Sequence, residues 1–248
     1  MIALAGCSSS GDDTASASPS ASPTPATHVV RDLSGAKVTV PTTINSIAEQ
    51  FPAHTVTDVM LGVGDKLVAI PQNVSTIPFM QTVQPSITKV PQLFRNGGMV
   101  NMEQLLQRKP DVVSLISGGD TATPFKNAGI PAVSMFFTKL DDITRSMTVA
   151  GETYGGQGEE AYNAYYEKVS AGLTSKLSSV TAKPKVLFIE AYTGGSDITV
   201  QGGASLIDQW IEKAGGTDAA KDIKGNRVKV TMEQVLQWNP DYLGTRTI

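Results

Sequence analysis

The chain has 248 residues, of which 40% are hydrophobic and 17% charged, enough for one large domain or two modest lobes, because single cores stop growing near about 250 residues. Twenty Lys and Arg against 23 Asp and Glu leave a net charge of -3, and without a basic run to displace phosphate counterions the charge argues against a nucleic-acid partner. No stretch approaches the roughly 20 consecutive apolar residues of a membrane-spanning helix.

In chain order, residues 8–27 contain only Ser, Thr, Pro, Ala, Gly and two Asp. Such a segment buries too little apolar surface to offset its ordering entropy, and a solvated tether is expected, with order starting near His28. Ahead of it, Leu4-Ala5-Gly6-Cys7 resembles a bacterial lipobox, in which cleavage before the cysteine is followed by lipid attachment to its sulfur. Residues 1–7 are therefore read as the remnant of a lipoprotein signal, shorter than an export signal of ordinary length. Cys7 is the sole cysteine, which excludes a disulfide framework and a cysteine-based zinc site.

The first half alternates short apolar runs, at 46–49, 67–70, 112–116 and 132–137, with helical or turn-rich stretches, the pattern of a parallel sheet covered by helices on both faces. Residues 57–61 before Gly62-Val63-Gly64-Asp65 and 206–214 before Gly215-Gly216-Thr217-Asp218 read as helices closed by C-cap glycines. Residues 159–180 carry Tyr162, Tyr165, Tyr166, Val169, Leu173 and Leu177 at helical spacing without proline, a rod of about 33 Å.

The clearest internal signal is a repeat. Residues 100–113 (VNMEQLLQRKPDVV) and 230–243 (VTMEQVLQWNPDYL) are identical at eight of 14 positions, 130 residues apart. Asn101 and Thr231 read as N-caps, with Gln104 and Gln234 three residues on to complete capping boxes. A Pro-Asp break and a strand follow each short helix. The expected organisation is a lobe over 28–156, an interlobe helix over 157–182 and a second lobe over 183–248, both Rossmann-like with mostly parallel sheets. Laid over the first lobe, the second is expected to want about 60 to 90 more residues.

The lipobox, the run 29–41 (VVRDLSGAKVTVP), the run 61–70 (LGVGDKLVAI) and the paired Met-Glu-Gln helices with their Pro-Asp exits together resemble the substrate-binding proteins of ABC importers for iron-siderophores, haem and cobalamin. The resemblance covers 28–243. It implies two α/β lobes joined by a long helix, a metal chelate held in the cleft between them, no resident cofactor, and a monomer anchored by lipid outside the cytoplasm. It also implies that Glu103 and Glu233, one on each copy of the repeat, dock into arginine pockets of an ABC permease dimer coupled to its ATPase. Without the resemblance, a first-turn glutamate merely complements the helix dipole, worth about 0.3 to 1 kcal/mol.

Family ligands lie across strand ends, which makes 51–55, 94–98, 117–121, 137–138 and 191–196 the candidate loops, and His54, Arg95, Tyr192 and Arg227 the candidate ligand contacts. Arginine offers a rigid fork to anions, and tyrosine an aromatic face with one polar tip. Many relatives carry a carboxylate at the position of Val56; here His54 stands nearby, and axial coordination of a haem, corrinoid or metal chelate is one role for it. Trp210 and Trp238 are expected in the core. A manganese or zinc binding protein would need more histidines than His28 and His54. An enzyme lacks its usual marks, since no Gly-x-Ser-x-Gly elbow, phosphate loop or complete dinucleotide fingerprint is present; a surface sensor without transport remains the other alternative.

Overall fold

The computed structural model describes residues 26–95, 99–194 and 197–245. The lipobox with Cys7 and almost all of the tether lie outside them. β1 (Thr27–Arg31) and β2 (Lys37–Pro41) form an antiparallel hairpin, with Val30, Val38 and Val40 turned inward and their neighbours outward. Its turn is organised by Asp32, whose Oδ1 accepts from Ser34 Oγ at 2.7 Å and Ala36 N at 2.9 Å, while Oδ2 accepts from Ser134 N at 3.1 Å. One buried carboxylate thus shapes the turn and docks the hairpin on the neighbouring sheet.

That sheet has the order β5-β4-β3-β6-β7, every pairing parallel: β3 (Ile47–Glu49), β4 (Leu67–Pro71), β5 (Gln92–Phe94), β6 (Val112–Leu115) and β7 (Ala132–Ser134). Residues of β3, β6 and β7 are buried throughout, as they must be in a parallel sheet with helices on both faces. Period-two alternation divides them. Ile47, Ile70, Val112 and Val133 enter one core with Met147, Ala150 and Tyr154 of α5 (Asp142–Tyr154), whereas Ala48, Ala69, Val113 and Ala132 enter another with Leu105 and Phe125. The expected run 132–137 is shorter as a strand. Phe136 and Phe137 leave the ladder for an aromatic cluster beyond the sheet edge.

The remaining helices of this half are α1 (Pro52–Met60), α2 (Pro78–Val83), α3 (Met102–Gln107) and α4 (Thr123–Asn127). α1 ends as its glycine predicts. Gly62 takes φ of 80°, its N–H bonds Val59 O at 3.0 Å, and Val63 N bonds Asp58 O at 2.9 Å, the paired bonds of a Schellman closure. α7 (Leu206–Lys213) repeats it, with Gly215 N to Glu212 O and Gly216 N to Ile211 O, both 2.9 Å.

α6 (Glu159–Leu177) has 19 residues, about 28 Å of helix rather than the 33 Å expected over 159–180. Ser178 ends it by turning its hydroxyl back to Ser175 O at 2.7 Å, the local competition that makes serine a poor helix interior. The start is wedged against α1, where a Cβ on Gly158 would collide with the Met60 carbonyl. Tyr162 packs against the first core, while Tyr165, Val169 and Leu173 remain exposed; the apolar stripe is wider than its contact.

The second sheet is built on β8 (Lys185–Tyr192), with β9 (Ile198–Val200), β10 (Thr217–Asp218), β11 (Val228–Val230) and β12 (Tyr242–Thr245). Val186 pairs with both Asp218 and Tyr242, and Ile189 with both Val200 and Thr245. β12 therefore takes one edge of β8, while β10 and β9 share the other. β10 and β12 run parallel to β8; β9 runs antiparallel to it and to β11. The sheet is thus mixed, and parallel where it echoes the first.

The repeat has a clear structural task. α3 starts with Asn101 Oδ1 accepting from Gln104 N at 3.0 Å, and α8 (Met232–Trp238) with the full Thr231–Gln234 capping box. At the far ends, Asp111 Oδ2 accepts from Asn45 N at 2.7 Å and Ser46 N at 3.0 Å, and Asp241 Oδ2 from Lys185 N at 2.7 Å. Each Pro-Asp carboxylate pins the entry of the central strand in its own sheet.

Candidate functional site at the carboxyl edge

From β3 the chain winds through β4 and β5 on one side, then crosses to β6 and β7 on the other. The reversal leaves a crevice at the carboxyl ends of β3 and β6, where open α/β sheets bind ligands. Gln50 spans it: its N–H bonds Ser114 O at 3.1 Å, and its Oε1 accepts from Ile116 N at 3.0 Å. Phe51 follows, edge-on to Phe136 with ring centroids 5.7 Å apart, and Phe136 stacks on Phe137 at 6.5 Å. Phe136 is 40% exposed, so this aromatic cluster offers a face to solvent. Beside it, a pocket of about 280 Å³ between α1, α5 and α6 is lined by Ala53, His54, Met60, Phe137, Met147 and Tyr162.

His54 faces inward. It is 2% exposed, with Nδ1 at 3.3 Å from Ser114 Oγ and 3.4 Å from Glu49 Oε1. Its Nδ1 faces a carboxylate and a hydroxyl, while its Nε2 is buried without a hydrogen-bond partner, so the ring lies beneath the crevice and not at its open surface. The structure instead shows a polar cluster that the residue types did not announce: Glu49, His54, Asp58, Ser114 and Tyr154, all nearly or fully buried. Glu49 Oε1 accepts from Phe51 N at 2.9 Å, while Glu49 Oε2 and both oxygens of Asp58 are buried without a hydrogen-bond partner. Burial first, then the Glu49 charge, holds the Asp58 carboxyl well above the usual range. Burial likewise raises the Tyr154 phenol, which donates to Met135 Sδ at 3.5 Å. The i, i+4, i+7 spacing of His54, Asp58 and Leu61 was the available signal, since it puts both polar groups on the buried stripe of α1. A helix taken to start at residue 57 hides it.

The other candidates are dispersed. Arg95 is exposed after β5, with its N–H bonded to Met99 O at 2.8 Å; residues 96–98 of its loop lie outside the described part. Tyr192 is 56% exposed at the carboxyl end of β8, next to residues 195–196, also outside it. Arg227, at φ of 61°, pairs through Nη1 with Glu190 Oε1 at 2.6 Å while most of its side chain faces water. Trp210 is half exposed on α7, contrary to the core position expected; Trp238 packs partly against the second sheet's core.

α7 also links the two halves. Gln209 Oε1 accepts from Leu140 N at 3.1 Å, and its Nε2 donates to Thr138 O at 3.0 Å. This amide ties the second half to the loop leaving β7, at the carboxyl edge of the first sheet. α3 and α8 each lead into a strand parallel to the centre of its own sheet, so their N-termini lie at the carboxyl edges. Glu103 and Glu233 are exposed there. The Glu233 carboxyl is held below its usual value by its own backbone N–H and by the Thr231 hydroxyl.

Residues 47–247 match the periplasmic binding protein family. The chain belongs to that family. This periplasmic binding protein is 26% identical to an uncharacterised ABC transporter substrate-binding lipoprotein of Bacillus subtilis, YvrC, over 87% of this chain and 68% of that one. A periplasmic solute binding protein of Veillonella parvula superposes with a TM-score of 0.73 at 31% identity, covering 89% of this chain and 68% of the other. Helicobacter pylori CeuE in its Ni-His complex superposes with a TM-score of 0.75 at 17% identity over 89% and 71%, a likeness of fold. The membership places the chain among binding proteins.

Proposed function

We propose that this periplasmic binding protein is a lipid-anchored, extracytoplasmic protein that holds a metal chelate between lobes 28–156 and 183–248 and delivers it to an ABC permease and its ATPase. The observation that carries the reading is the Gln209 contact, which brings the second half onto the carboxyl edge of the first sheet, beside the switch-point crevice. The Phe51–Phe136–Phe137 cluster supplies an apolar floor suited to a planar or greasy chelate. Tyr192, and the outward guanidinium edges of Arg227 and Arg95, supply polar contacts from the rim. An iron-siderophore, haem, a corrinoid and a nickel–histidine complex share this chemistry of a bulky metal-centred ligand with anionic groups. Glu103 and Glu233, exposed at the two carboxyl edges, are the permease-docking knobs, and Cys7 is the lipidated residue.

The test is calorimetric titration of the protein with a ferric siderophore, haem, cobalamin and nickel–histidine. One of them binds, and Phe136→Ala and Tyr192→Ala each weaken it about tenfold or more, as loss of a buried aromatic contact should. Failure of all four to bind, or binding untouched by both substitutions, contradicts the reading.

A further inference from the structure

The buried cluster under the crevice has an unusual charge problem. Glu49 Oε2 and both oxygens of Asp58 are buried with no hydrogen-bond partner, and if both carboxyls were ionised two like charges would meet away from water. Leaving a buried acceptor unmatched is costly, and two adjacent carboxylates resolve the cost by keeping one proton. A proton on Asp58 turns the pair into a donor and an acceptor. Glu49 Oε1 is already used as an acceptor: it takes the Phe51 N–H at 2.9 Å and faces His54 Nδ1 at 3.4 Å.

Glu49 is the last residue of β3, and the backbone N–H it holds belongs to Phe51, the residue just before α1. Its orientation therefore sets the turn that presents Phe51 to the aromatic cluster. We propose that Asp58 is a positioning residue for the ligand-facing turn: as a neutral acid it donates to Glu49 and so fixes the carboxylate that anchors Phe51. That the turn faces ligand rests on the function proposed above; the anchoring itself does not. The titratable groups facing Asp58 are Glu49 from β3, His54 one turn earlier on α1 and Tyr154 from α5, with Ser114 of β6 as the neutral partner of His54. Among the described residues no Lys or Arg is buried at the cluster, so a proton, not a cation, balances the second carboxyl.

Asparagine keeps a donor in place of the protonated acid, whereas leucine keeps only the volume. In ligand-free full-length protein, Asp58→Asn should hold the exchange rate of the Phe51 amide within about twofold, and Asp58→Leu should raise it about tenfold or more. The carboxyl carbon of Asp58, followed by NMR, should titrate well above the range of an ordinary aspartate. An Asp58 signal titrating near pH 4, or equal exchange in the two variants, overturns the proposal. If Asp58→Leu does not fold, the NMR titration of the unaltered protein still decides it. If the anchoring holds but Phe136→Ala and Tyr192→Ala leave binding of the four probes unchanged, the ligand reading fails and this one stands.

Discussion

Replacing Asp111 and Asp241 with alanine, one at a time, tests whether the repeated Pro-Asp has the task the structure gives it. Asp111 holds two backbone N–H groups, that of Ser46 partly shielded and that of Asn45 exposed; Asp241 holds one, exposed, at Lys185. A hydrogen bond to a charged acceptor contributes about 1.5 to 3 kcal/mol when shielded and much less where water can substitute. Asp111→Ala should then cost about 2 to 3 kcal/mol, because the shielded bond is lost nearly in full and the exposed one in part. For Asp241→Ala the same reasoning gives about 1 kcal/mol. With a urea slope of about 2 to 3 kcal/mol/M for a chain of this size, the midpoint of the first sheet moves down by about 1 M and that of the second by about 0.4 M. Urea titrations followed by hydrogen exchange at the Ser46 and Lys185 amides assign each loss to its own sheet. Equal costs, or a larger one for Asp241→Ala, would refute the reasoning, since carboxylate contacts would then not be what the repeat preserves.

Two further outcomes follow from particular contacts. Asp58 is protonated in the fold and ionised in the unfolded chain, so its contribution to stability is complete below the unfolded value of about 3.9 and declines as pH rises toward the folded value, by up to about 1.4 kcal/mol per pH unit. Thermal unfolding followed from about pH 4 upward should show that decline in the unaltered protein and not in Asp58→Asn; a decline of the same size in both would contradict it. Gln209→Ala removes both bonds to the loop after β7 and should speed release of the bound chelate about fivefold or more, with little change in stability because the contact is near the surface. An unchanged release rate in stopped-flow displacement would show that the amide does not restrain the two halves.

The residues explain which features were legible beforehand. N-caps and C-cap glycines act within a few residues of themselves, so Asn101, Thr231, Gly62 and Gly215 announced their conformations. The parallel first sheet was legible because strands buried on both faces are short apolar runs. Asp58 and Glu49 were not, since their meaning lies in a pairing between β3 and α1 that spacing alone does not reveal, and a polar residue on a short helix ordinarily reads as solvated. His54 was singled out for its chemistry, and burial decides its part: its imidazole supports the turn from behind. The exposed flank of α6 shows the converse, where helical periodicity located the rod but overstated its contact.

The central claim is that one ligand touches both halves at once. Hydrogen exchange with and without the tightest-binding of the four probes measures this directly, reading the segments around Phe51, Phe136 and Tyr192 together. Protection arising in all three on binding is the predicted result; protection confined to the segments of one sheet would contradict it.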